Sequence, residues 1–236
     1  VYFIADDGVH GNELWRTDGT SGGTYLVKDI NSGIDGSEIG ELAILGDQLI
    51  FVAVDGVHGS EIWTSDGTAN GTNMVVDIVP GENGSVLLYS GFDNPSSAQD
   101  SEGFIYFAAE EDGDDFDLEL WRTDGTAAGT TKVVEVNPDG RSFPRGFTEI
   151  NGTTYFSAVR EISRQLWKTD GTVGCTVPII DPWPEDLSVR GGGFSSMTSL
   201  RDYLLLSMDD SVHGEELWIS DGTATGTMLV QDINPG

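Results

Sequence analysis

Between residues 41 and 79 the chain alternates short apolar runs with clusters of turn-forming residues. ELAIL is followed by Gly46-Asp47, then QLIFVAV, DGVHG, EIWTS, DGTANG and TNMVVDI. Short runs rich in Val, Ile, Phe and Trp, punctuated by Gly, Asp and Asn, predict β-strands joined by tight turns. LIFVAV is apolar at every position, so both faces of that strand are expected to be covered. In EIWTS, Ile62 points to one face and Trp63 to the other. No segment carries a helical apolar stripe ten residues long, and no run approaches the roughly 20 apolar residues that span a bilayer. The pattern predicts an all-β chain.

The same pattern returns along the chain. ELWRTDGTSGGT (13–24), EIWTSDGTANGT (61–72), ELWRTDGTAAGT (119–130), QLWKTDGTVGCT (165–176) and ELWISDGTATGT (216–227) are five copies of one motif. Their tryptophans, Trp15, Trp63, Trp121, Trp167 and Trp218, lie 48, 58, 46 and 51 residues apart. That period matches the blades of a β-propeller and is too long for leucine-rich repeats. Each unit reads as four strands, and sheets stacked face to face around an axis leave only short, protected edges. A two-sheet sandwich does not account for five equivalent tryptophans. The expected fold is one β-propeller domain over residues 1–236, most simply of five four-stranded blades. The units run approximately over 1–33, 34–81, 82–139, 140–185 and 186–236. The first unit begins at its second strand, which gives an expected count of 19 strands; a segment of a larger ring is the alternative.

The motif ELWxxDGTxxGT resembles the ELWxxDGT repeat family, and the likeness covers nearly the whole chain. Its strand order is similar to that of kelch-type blades. The resemblance implies a large secreted or surface protein of bacterial type, and it defines no chemistry. The fourth unit departs most from the pattern. Gln165 replaces the Glu, Cys175 replaces a Gly, and REISR stands where the second unit has DGVHG.

Charge narrows the function. Forty Asp and Glu against 11 Lys and Arg give a net charge of −29, which excludes a nucleic-acid partner because a phosphate backbone would be repelled. So acidic a surface suits an extracellular or cell-surface protein, without membrane insertion. The single cysteine, Cys175, rules out an intrachain disulfide.

Candidate chemistry concentrates before the third strand of each unit. Asp66-Gly67-Thr68 and its counterparts read as turn devices: Asp binds backbone N–H groups, Gly supplies a positive φ and Thr caps the return. The tryptophans read as packing elements. The loop DGVHG is more informative, because His10, His58 and His213 occupy the same place in their units. Each is followed by the acidic residue that opens the ELW strand, Glu13, Glu61 or Glu216. Asp29, Asp77, Glu135, Asp181 and Asp232 close the fourth strand and are expected nearby.

Two chemistries fit this corner. It is either a hydrogen-bonded tie between loop and sheet, or an oxygen-rich cation site of calcium type, for which the candidate ligands are Asp55, His58, Glu61 and Asp77. The imidazole favours a transition metal over calcium. The acidic loop EEDGDDFDLE adds Asp112, Asp114, Asp115 and Asp117 as a second calcium candidate, although it lacks the EF-hand order.

Catalysis has little support. The innermost strands supply only Glu41 and Glu149, at unmatched positions, and no nucleophile elbow or phosphate loop is present. Seven of the 11 basic residues fall between Arg141 and Arg201. Arg141, Arg145 and Arg190 are the candidates for docking an acidic glycan, a protein or another copy. The expected function is a non-catalytic extracellular module for binding, adhesion or assembly. A lectin with pockets between blades and a glycoside hydrolase acting in the central channel are the alternatives.

Overall fold

The computed structural model describes residues 1–40, 42–86, 100–111, 118–138, 140–161, 163–180, 194–210, 212–233 and 235. Among them, strands form five separate antiparallel sheets, each built from neighbours in sequence. The first holds β1 (Tyr2–Asp6), β2 (Asn12–Arg16) and β3 (Tyr25–Lys28). The second holds β4 (Ala43–Leu45), β5 (Gln48–Val54), β6 (Ser60–Ser65) and β7 (Asn73–Val76). The third is described as β8 (Ile105–Ala109), β9 (Glu119–Thr123) and β10 (Thr131–Val134). The fourth contains β11 (Arg145–Ile150), β12 (Thr153–Arg160), β13 (Ser163–Thr169) and β14 (Val177–Ile180). The fifth contains β15 (Phe194–Leu200), β16 (Tyr203–Asp209), β17 (Glu215–Ser220) and β18 (Met228–Gln231). The expected first strand of the third unit, SVLLYS, falls mostly outside the described residues, so 18 of the 19 expected strands are seen.

Register repeats with the sequence. Phe3 pairs with Trp15, Phe51 with Trp63, Phe107 with Trp121 and Phe156 with Trp167, and Leu206 with Trp218. The last strand of every sheet is joined to the ELW strand through one register shift, as between Ile62 and Trp63. An extra residue at that point increases local twist.

The two faces of each ELW strand meet different neighbours. Ile62 packs with Phe107 and Trp121 of the third sheet. Trp63, on the opposite face, packs with Leu14 and Val27 of the first sheet. The same rule joins Leu120 to Trp167 and Leu166 to Trp218. The aliphatic residue of one sheet therefore meets the tryptophan face of the next, at four successive junctions. β5 runs between two such junctions, which is why Leu49, Ile50, Phe51, Val52 and Ala53 are all buried. Each large side chain buried there contributes roughly 2 kcal/mol.

Candidate functional site

The residues singled out around DGVHG assemble into a staple between consecutive sheets. Asp55 closes the loop on itself. Its Oδ1 accepts the backbone N–H groups of Val57 and His58 at 2.9 Å, and its Oδ2 lies 2.7 Å from His58 Nδ1. Asp7 with His10 and Asp210 with His213 repeat the pair at 2.8 Å. The loop ends in Gly59, with φ of +67°, where a Cβ would lie 2.3 Å from the Gly84 nitrogen. Only glycine allows so close an approach at that conformation.

Glu61 then reaches the chain that leaves the sheet. It accepts the Ser85 hydroxyl at 2.5 Å, the Ser85 N–H at 3.1 Å and the Ile78 N–H at 3.4 Å. Glu13 repeats this with the Ser37 hydroxyl at 2.7 Å and the Asn31 N–H at 3.0 Å. Glu216 accepts the Ile233 N–H at 3.1 Å, and Glu119 accepts that of Val136.

The serines carry the tie onward. Ser37 N–H donates to Asn12 O of the first sheet, and its carbonyl accepts Val54 N–H of the second. Ser85 bridges Ser60 and Glu110, and Ser142 bridges Leu118 and Val159, in the same way. One backbone residue is thus hydrogen-bonded to two sheets at once. Gly36-Ser37 sits in a link that the strand pattern leaves as a plain connection, and Gly84-Ser85 at the start of the expected strand SVLLYS. Their signal is the spacing, because each serine follows its Glu by 24 residues.

Burial sets the electrostatics of this staple. Loss of solvent pushes the Glu61 carboxyl up to about 7, against the opposing hydrogen bonds from Ser85 and Ile78. Glu13 moves in the same direction for the same reason. Asp7, held by the His10 and Val9 N–H groups and the His10 ring, falls to about 2. The three imidazoles are raised, chiefly by their hydrogen bonds to Asp7, Asp55 and Asp210.

The DGT turns are hydrogen-bonded around their threonine. Asp66 Oδ1 accepts Thr68 N–H at 2.8 Å and Thr68 Oγ1–H at 2.7 Å. Thr68 Oγ1 accepts Gly71 N–H at 3.0 Å, and its carbonyl accepts the Thr72 hydroxyl at 2.7 Å. A Cβ at Gly71 would fall 2.0 Å from the Asp66 carboxylate, so a side chain there must displace it. In the fourth sheet Cys175 takes that place, and the segment tightens into a 3-10 turn, Val173–Cys175. Asp170 accepts the Thr172 N–H at 2.9 Å and the Thr172 hydroxyl at 2.6 Å, and its carboxyl is lowered by Thr172 first and by Cys175 second.

Comparison with solved structures places this arrangement. The chain aligns with puromycin hydrolase at a TM-score of 0.59 and 16% identity, over 96% of this chain and 34% of that one. It aligns with the β-propeller domain of the trilobed protease from Pyrococcus furiosus at 0.56 and 12% identity, over 100% of this chain and 66% of that one. TolB from Acinetobacter baumannii gives 0.51 and 14%, over 98% and 52%. The fold is a β-propeller. No family model matches the chain, and no curated protein does. The chain spans about a third of the length of puromycin hydrolase.

The propeller match corrects the expected function. An adhesion or assembly module was the expectation, with a lectin or glycoside hydrolase behind it, but the propellers that resemble this chain belong to peptidases and to TolB. The expectation rested on charge and repeat pattern, which describe the surface and the blade but not the task a propeller serves.

The remaining site candidates separate. Asp55 and His58 are joined directly, with Glu61 and Asp77 close enough to raise the imidazole. Among the described residues no group of three or more His, Cys, Asp or Glu is placed to hold a metal ion. Glu61 turns instead to Ser85, while Asp77 keeps a buried Oδ1 without a hydrogen-bond partner. Asp112, Asp114, Asp115, Asp117 and Arg190 lie outside the described residues, as does Asp181. Arg141 is exposed, its guanidinium 6.0 Å from the Phe143 ring, and Arg145 opens β11 on the fourth blade. Arg145 stands near Arg164, which donates to Phe143 O and Ser157 O and is lowered to about 9 by burial first and by Arg145 second. That arginine belongs to REISR, the loop that stands in the fourth sheet where the second has DGVHG.

Proposed function

We propose that the chain is a non-catalytic run of five β-propeller blades of ELWxxDGT type, the first with three strands, that serves a hydrolase by binding peptide and controlling access to it. The observation that carries this reading is the shared fold with peptidase propellers, matched over nearly all of this chain and about a third of the enzymes. One solved relative, a pair of prolyl endopeptidases at 11% identity and a TM-score of 0.53, is described in terms of inter-domain dynamics in catalysis and specificity. The placement of Glu13, Glu61 and the Asp–His pairs in ties between blades also supports a scaffold, since their hydrogen-bonding capacity is engaged within the fold. A net charge of −29 selects cationic peptides by long-range attraction.

Labelled basic and proline-containing peptides test both halves of the reading. Fluorescence anisotropy is expected to show binding that weakens with salt, and fluorogenic versions are expected to remain uncleaved. Cleavage by the purified chain, or no binding at millimolar peptide, would overturn it.

A further inference from the structure

Asn70-Gly71, Asn83-Gly84 and Asn151-Gly152 are the three Asn-Gly pairs of the chain. In such a pair the glycine nitrogen can attack the asparagine side-chain carbonyl, because glycine has no side chain to obstruct the approach. All three asparagines are exposed, so access to water does not separate them. The engagement of the attacking nitrogen does.

Gly71 N–H donates to Thr68 Oγ1 at 3.0 Å, inside the DGT turn. Gly152 N–H donates to Glu149 Oε1, and the Asn151 side-chain amide donates to Asp202 Oδ1 at 3.0 Å. Among the described residues, neither the Gly84 N–H nor the Asn83 side chain is hydrogen-bonded. The pair that is free to react therefore adjoins Ser85, the residue that ties the second blade to the third.

We propose that Asn83 is a site of spontaneous deamidation whose main product loosens this tie. The Gly84 nitrogen bonds to Asn83 Cγ as the bond from Cγ to the side-chain nitrogen breaks. The Gly84 N–H proton leaves with that nitrogen as ammonia, and a cyclic imide remains. Water then opens the imide. Cleavage between Cγ and the Gly84 nitrogen gives an aspartate at position 83. Cleavage between the main-chain carbonyl carbon and the Gly84 nitrogen gives isoaspartate, whose main chain runs through Cβ and Cγ and gains a methylene.

The two products differ in consequence. Asp35-Gly36-Ser37 stands at the first tie where Asn83-Gly84-Ser85 stands at the second. A Cβ on Gly11 would lie 2.5 Å from the Gly36 nitrogen, as one on Gly59 would lie 2.3 Å from that of Gly84. An aspartate therefore fits this place. The longer isoaspartyl chain does not, because Gly84 is packed so closely that a Cβ on it would fall 2.2 Å from Ser60 N. The added methylene must move Ser85 away from Ser60, Glu61 and Glu110. This modification is independent of the peptide-binding reading.

Ageing the folded chain in mildly alkaline buffer tests it, read by peptide mapping with mass spectrometry and by isoaspartate-specific enzymatic methylation. Asn83 is expected to convert at least about fivefold faster than Asn70 or Asn151, the rate ratio set by one hydrogen bond of about 1 kcal/mol. Isoaspartate is the expected main product. In concentrated urea, where those bonds are absent, the three rates are expected to converge. A ratio no larger in the folded chain than in urea would overturn the assignment, as would conversion of Asn70 or Asn151 ahead of Asn83. The melting temperature is expected to fall as isoaspartate accumulates, and to hold in Asn83→Gln aged alongside. Asn83→Asp, freshly prepared, is expected to melt with the unaged chain. An aged chain that melts unchanged, or an Asn83→Asp variant that melts as low as the aged chain, would sink the loosening by the longer main chain.

Discussion

The carboxylate of Glu61 accepts the hydroxyl of Ser85 at 2.5 Å, across 24 residues of chain. Ser85 is hydrogen-bonded through its backbone to Ser60 on one side and Glu110 on the other, so this contact clamps the second blade to the third. Glu61→Ala removes the acceptor of the Ser85 hydroxyl and of the Ile78 N–H in a buried corner, while the Ser85 N–H keeps Ser60 O. Urea unfolding is expected to show a loss of about 3 kcal/mol. Glu61→Gln keeps one acceptor oxygen and is expected to lose about half as much at neutral pH. A loss under about 1 kcal/mol for the alanine variant would remove the clamp.

Stability is expected to peak near pH 5. The Glu61 carboxyl is raised by burial from 4.5 to about 7. The unfolded chain therefore releases that proton first, and stability falls as pH rises across that window. The raised imidazoles of His10, His58 and His213 act the same way above 6.5, since their pairing is complete below that pH and is lost as they deprotonate. Asp7, lowered to about 2, and Asp55 and Asp210, lowered less, act in the opposite sense. Their contribution is present above about 4 and is lost as pH falls through the folded values. Melting temperatures from pH 3 to 9 check this, and Glu61→Gln is expected to flatten the decline between pH 5 and 7. An optimum above pH 7 would contradict the assignment.

Gly59→Ala and Gly214→Ala separate backbone strain from contact. Both positions have positive φ, +67° and +74°, but only Gly59 abuts another chain segment. Gly214→Ala is expected to cost about 1 kcal/mol and Gly59→Ala about 3 or more, read by chemical unfolding at dilute protein. Equal costs would mean that the Gly59–Gly84 approach contributes nothing.

Thr68→Val removes a hydroxyl that bonds both Asp66 and Gly71 while keeping β-branched shape. About 1.5 kcal/mol is the expected loss. Thr20→Val, at the same place in the first turn, is expected to lose about as much, because the same two bonds are exposed in both turns. Urea unfolding of the pair checks the equality.

The motif alone located the five ELW strands, their turns and the opposed faces of Ile62 and Trp63, because strand alternation and turn chemistry are local properties. It also supplied both readings of the histidine corner, since residues at fixed short spacing such as Asp55 and His58 must lie close together. It did not reveal Ser37 and Ser85 as partners of Glu13 and Glu61, because a contact across 24 residues depends on how one sheet stacks on the next. Nor could it distinguish Leu217 from Leu14. The same leucine in the same motif is buried or exposed according to whether another blade covers it, and the stacking of blades alone settles that.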